Sequence, residues 1–156
     1  MCLWLLVVGL EMKYSIRRMT IEDYDDVLCL WQNTKGVVLS ETDAREPLQR
    51  FLNRNPGLSL VVHRGDELIG SVLCSHDGRR GYLHHLAVDG RYRRRGIGTA
   101  LVQACLSALS QEGICKCNIF IIEENDAGIA FWEHNGFNLL DHFGWMQKAL
   151  SQEATG

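Results

Sequence analysis

The sequence predicts a mixed α/β fold: one sheet with helices on both faces. Three observations carry that expectation. Segments of period 2 and period 3.6 follow one another in the order β-α-α-β-β-β-α-β-α-β-β. The 156 residues show no internal repeat and no linker, a length that suits one core. Hydrophobic residues make up 46% and charged residues 22%, so the chain has apolar surface to bury and little reason to be disordered.

Each element has its own signal. Tyr14-Ser-Ile-Arg17 alternates and reads as a short strand. Thr20 reads as an N-cap with Asp23 three residues on. Ile21, Tyr24, Val27, Leu28 and Trp31 follow at helical spacing, so an amphipathic helix covers residues 21–33 and ends at Gly36. Ser40 to Asp43 repeats the start signal. Leu48, Phe51 and Leu52 form a second helical stripe, stopped by Asn55-Pro56-Gly57. Residues 58–63 and 68–75 read as a hairpin about Arg64-Gly65-Asp66, and residues 82–88 as a third apolar strand. After Asp89-Gly90 and an arginine-rich loop, Ile97, Leu101, Ala104, Cys105, Ala108 and Leu109 fit one helix face ending near Gly113. Residues 118–122 read as a strand. Asn125 or Asp126 caps a helix that ends at Gly136, and residues 137–140 and 145–150 close the chain as strands.

Composition excludes several function classes. The net charge of −3 argues against nucleic acid as a partner. Between Arg79 and Arg95, however, stand six arginines and one acid, Asp89, a local excess of +5 that points to a small polyanion. The apolar run of residues 2–10 is too short to span a bilayer and lacks signal-peptide features, so no membrane is expected. Residues 1–12 read as a non-functional extension ahead of a domain at 13–152, with a real edge strand as the alternative. Of six cysteines, Cys29, Cys74 and Cys105 lie in apolar stretches and read as core residues. Cys115 and Cys117 have no second pair to complete a zinc site. Reduced thiols and a cytoplasmic protein follow.

The most informative stretch is Leu86-Ala-Val-Asp-Gly-Arg-Tyr-Arg-Arg-Arg-Gly-Ile-Gly-Thr-Ala-Leu101, where a buried strand runs through a glycine loop into a helix. A helix start carries unpaired N–H groups and partial positive charge, which together bind anions. Gly96 and Gly98 carry no side chains to keep a diphosphate from those amides. The Rossmann pattern fails because Leu101 stands where its third glycine belongs. The Walker pattern fails because no lysine separates Gly98 from Thr99.

What remains, R-x-x-G-x-G at Arg93, Gly96 and Gly98, resembles the acetyl-CoA signature of the GNAT superfamily of N-acetyltransferases. Some thirty residues later Asn125-Asp-Ala-Gly-Ile-Ala-Phe-Trp-Glu-His-Asn-Gly-Phe137 resembles the family's second signature. The resemblance covers residues 13–150 and implies a mostly antiparallel central sheet. The stretches 76–81 and 124–126 are also similar to a YpeA-like bacterial branch. The resemblance implies acetyl-CoA as cosubstrate and a primary amine of a small molecule or peptide as acceptor, attacking directly in a ternary complex; a homodimer is possible by the same analogy. Leu86, Ala87 and Val88 would pair with the pantetheine arm. Arg93, Arg94, Arg95, Gly96, Ile97, Gly98 and Thr99 would hold the pyrophosphate. Asn125, Phe131 and Trp132 would flank the arm, in a cleft where residues 82–88 and 118–122 splay apart.

Such transfer needs a neutral amine, hence a proton acceptor, and a donor for the developing oxyanion, here a backbone N–H of residues 86–88. The residue that is often a tyrosine acid in the family is Trp132, and an indole cannot donate that proton; packing explains it better. Tyr92 and His134, both expected at the surface, are the stand-ins. Trp132 also keeps open a non-catalytic acyl-CoA sensor. By strict alternation His84 and His85 point to opposite faces, and His85 is the candidate base, acting through water. Tyr82 and Glu123 lie near the expected cleft. His76, His84 and His85 lack metal-ligand spacing, so no metal is expected. The acids Glu41, Asp43 and Glu46 could attract a cationic amine, though a solvated helix start explains them equally well.

Overall fold

The computed structural model describes residues 5–9 and 12–150. The chain divides into two compact units, Met1–Phe120 and Ile121–Gly156. Among the described residues of the first, six strands form one sheet in chain order: β1 (Leu5–Gly9), β2 (Met12–Arg18), β3 (Leu60–Arg64), β4 (Glu67–His76), β5 (Gly81–Val88) and β6 (Cys117–Ile119). Neighbours are antiparallel except β5 and β6, which are parallel. That exception follows from the connection, since the helix α3 (Ile97–Gln111) carries the chain back between them. The helices α1 (Tyr24–Gln32) and α2 (Arg45–Arg54) lie between β2 and β3 in sequence.

Both early helices begin with the same device. The Asp23 carboxylate accepts the Thr20 N–H at 2.9 Å and is gripped by the Arg17 guanidinium at 2.9 and 2.6 Å. In the 3-10 turn before α2, the Asp43 carboxylate accepts the Ser40 N–H at 2.9 Å. These contacts satisfy backbone groups that a helix start leaves unpaired.

Helices cover both faces, and β4 shows it residue by residue. Ser71 accepts the Trp31 indole N–H of α1 at 3.0 Å, and Leu73 joins a buried cluster with Val27, Leu30, Trp31, Leu48, Val61 and Ala87. Cys74, one residue on, faces Cys105 of α3. On that face a Cβ at Gly81 would meet Leu109 at 2.6 Å, so α3 lies directly on the start of β5.

The structure changes four expectations. Residues 137–140 and 145–150 are not strands; with Leu139, Phe143, Trp145 and Met146 exposed, neither run pairs with a described strand, and a run this short forms a strand only against a ladder. The predicted strand at 118–122 is the shorter β6. Residues 5–9, inside the expected extension, form β1 on β2; residues 1–4, 10–11 and 151–156 lie outside the described residues. Cys29 is exposed, because α1 turns Val27, Leu30 and Trp31 inward and leaves Cys29 on the other side.

Candidate active site

Two irregularities in β5 build the site. The first is a bulge. Ser71 pairs with Ala87 but Leu73 pairs with His84, so β5 carries one extra residue, and His85 adopts a left-handed φ of 49°. The bulge overturns the expected alternation of the two histidines. His84 stands directly opposite Leu73, on the α1 side of the sheet. His85 lies edge-on to Trp31 of α1, with ring centroids 4.8 Å apart, so it occupies the same side.

The second irregularity is the short ladder to β6. It runs only from Gly81–Leu83 against Cys117–Ile119, and from His84 to Val88 no described strand pairs with that edge. At the point where pairing stops, the His84 ring stacks 6.2 Å from Tyr82 and 6.0 Å from Phe120. Burial, with His85 close by, holds the His84 imidazole below its ordinary value, although Asp43 pulls the other way. His84 is therefore neutral near pH 7.

His85 meets Asp43: Nε2 lies 2.7 Å from the carboxylate, and the two side chains are only 18% and 11% exposed. Burial alone would push the Asp43 carboxyl up. Hydrogen bonds from His85 and the Ser40 amide outweigh it and leave Asp43 below the ordinary carboxylate value. The carboxylate is thus ionised near neutral pH and can only accept, so His85 carries its proton on Nε2.

Beyond β5, Asp89 caps a 3-10 turn at Gly90–Tyr92 by accepting the Arg91 N–H at 2.9 Å. The Arg91 side chain is held by Asp89 and Glu67. Arg93 donates to the Val88 carbonyl at 3.2 Å. Arg94 is left-handed with φ 59°, and Gly96, the N-cap of α3, is left-handed with φ 80°. Among the described residues no side-chain hydrogen bond caps α3 at Gly96, and apart from its chain neighbours none lies within 4 Å of where a Gly96 Cβ would stand. The amides of Ile97 and Gly98 open the helix, while the Ala100 N–H is already paired with the Gly96 carbonyl at 2.9 Å. This uncapped start, beside Arg93, Arg94 and Arg95, fits a diphosphate.

Residues 24–137 match the Acetyltransferase (GNAT) family. The chain belongs to that family. It is 30% identical over 139 residues to an acetyltransferase of Sodalis glossinidius, covering 89% of this chain and 97% of the relative. It is 32% identical over 127 residues to an acetyltransferase of Yersinia pestis, covering 81% and 89%. Among solved structures, the PaiA N-acetyltransferase of Thermoplasma acidophilum in complex with coenzyme A superposes with a TM-score of 0.74 at 23% identity, covering 85% and 94%. Naa50 of Arabidopsis thaliana with a bisubstrate analogue gives 0.66 at 20%, covering 82% and 85%. Both structures share the GNAT fold.

The remaining sequence-predicted residues fall as follows. Tyr92 is buried rather than at the surface, under the guanidinium groups of Arg64, Arg91 and Arg95, and its hydroxyl lies 3.2 Å from both Glu67 and Arg64. In the second unit, the helix α4 (Asp126–His134) is capped by Asn125, whose side chain accepts the Gly128 N–H at 3.0 Å. A Cβ at Gly128 would fall 2.4 Å from that side chain, which explains the glycine. Trp132 packs edge-on to Phe131 and Phe137 at 5.2 and 5.0 Å, and His134 is exposed at the last position of α4. Among the described residues no helix is long and apolar enough to cross a membrane. The site residue that sequence reasoning passed over is Asp43 as the partner of His85. The two are 42 positions apart, and only the second helix-start signal hinted at an ordered acid there.

Proposed function

We propose that this acetyltransferase is an acetyl-CoA-dependent N-acetyltransferase, with a primary amine of a small molecule or peptide as acceptor and both substrates bound at once. The observation that carries the reading is the unpaired edge of β5 leading, through the turn and loop of residues 89–95, to the left-handed start of α3. Backbone groups of Leu86 and Val88 take the pantetheine arm as an added strand, with Ala87 between them. The amides around Gly96, Ile97 and Gly98 hold the pyrophosphate, with the neighbouring arginines adding charge. When bound, acetyl-CoA supplies a thioester whose acyl carbon the amine nitrogen attacks, with the C–S bond breaking and the thiol leaving.

His85 receives the proton that the acceptor ammonium must lose, through a water. Asp43 offers the resulting imidazolium a counter-charge, whereas His84 is penalised for charging by burial and serves as a neutral wall of the cleft. The committed hydroxyl of Tyr92 disfavours it as the acid, and the thiolate leaves unassisted or by way of water. The catalytic domain includes residues 24–137, the stretch that matches the family.

The test is release of free CoA from acetyl-CoA across spermidine, lysine and an alanine-initiated peptide. Amine-dependent release with a matching acetylated product is expected. Tight coenzyme binding without turnover of any amine would instead support a sensor, the reading that Trp132 keeps open.

A further inference from the structure

We propose that Asp43 is a positioning residue: it locks His85 in the tautomer protonated at Nε2 and so keeps the lone pair on Nδ1 for the acceptor's proton. This rests on the reading of His85 as proton acceptor. Four observations support it. The Asp43 carboxylate contacts Nε2 at 2.7 Å. Its other oxygen is pinned by the Ser40 amide at 2.9 Å, and its backbone carbonyl accepts the Tyr24 hydroxyl at 3.2 Å, so the carboxylate cannot swing away without breaking the turn before α2. Trp31 closes one side of the imidazole and is itself fixed through Ser71, so the ring cannot flip freely. His85 also holds a left-handed backbone that a residue with a Cβ adopts at a cost, and such strain persists where surrounding contacts enforce it. A simple tie between a loop and a sheet would need none of this orientation.

The proton balance is short. The acceptor ammonium loses two protons on becoming an amide: the first passes through water to Nδ1 and makes an imidazolium, and the second leaves the nitrogen after attack and reaches the departing thiolate by way of water, giving the CoA thiol. The Nε2 proton stays between His85 and Asp43, and Asp43 takes none. The charged and titratable groups around His85 are Asp43 before α2 and His84 on β5; α1 presents Trp31, with Tyr24 reaching Asp43 and Arg45 lying over the Tyr24 ring, and β4 presents Ser71.

The experiment uses the full chain labelled with 15N-histidine, so that imidazole nitrogen shifts report the tautomer without any turnover, alongside kinetics with the fastest amine of the panel above. In the native chain His85 is expected in the Nε2–H form. Asp43→Asn, which can offer an N–H to the ring, should populate the Nδ1–H form. It should lower kcat by about 10- to 100-fold with KM for acetyl-CoA unchanged. Asp43→Glu should recover part of kcat. If Asp43→Asn keeps the native tautomer and loses only thermal stability, Asp43 is a structural tie and the proposal is overturned. If the tautomer changes but His85→Ala turns over like the native chain, the positioning contact stands and the base reading falls.

Discussion

Gly96 and His85 sit in the same left-handed region of backbone space, with φ of 80° and 49°, and are held there for opposite reasons. At Gly96 no side chain exists, nothing crowds the position, and what is presented is main-chain N–H. At His85 the side chain is the point: the left-handed turn costs about 1 kcal/mol relative to an ordinary conformation, and contacts with Asp43 and Trp31 hold it. In the proposed function, one left-handed residue opens the backbone to the coenzyme. The other rotates a side chain onto the face already occupied by its neighbour His84. In the proposed function the same device would serve coenzyme binding at the start of α3 and proton handling in the middle of β5.

The comparison can be broken by erasing the side chain at the second position. His85→Gly keeps a residue that accepts the left-handed turn at little cost, so the bulge and the coenzyme affinity should survive. Turnover should fall by about 100-fold. Steady-state kinetics beside a CoA titration would check this; a fall in affinity with kcat intact would put His85 in the binding machinery instead.

A smaller effect contrasts the Asp43 turn with its counterpart at Asp23, which carries no catalytic role. Burial pushes the Asp23 carboxyl up, but the Arg17 hydrogen bonds and the Thr20 amide more than offset it and leave it below its ordinary value. A carboxyl lowered by folding stabilises the fold above its unfolded value, about 3.9, and that contribution disappears as pH falls through the folded value. Arg17→Gln should therefore cost about 1 kcal/mol at pH 7, less at pH 3, with kcat unchanged. Urea melts at the two pH values would read the difference; an equal cost at both would remove Arg17 from the ionic account.

The Gly96 loop and the helix stripes were legible because their signals are local: glycine spacing, caps and apolar periodicity act within a few residues. Strand alternation was legible only where it is regular. Nothing in Leu83-His-His-Leu86 announces an extra residue, since the bulge is a matter of register against β4. The Asp43–His85 contact joins distant positions, and Asp43 taken alone read equally as a lure for a cationic amine or a solvated acid at a helix start. Residues 137–150 carry strand-like runs, but a strand exists only when another backbone takes its hydrogen bonds.

The central claim is that main-chain amides at the start of α3 grip the diphosphate of the coenzyme. A 1H–15N correlation spectrum of the full chain during CoA titration tests it most directly. The account expects the largest shifts at the amides of Gly96, Ile97 and Gly98. Saturable CoA binding that leaves those three amides unmoved would contradict it.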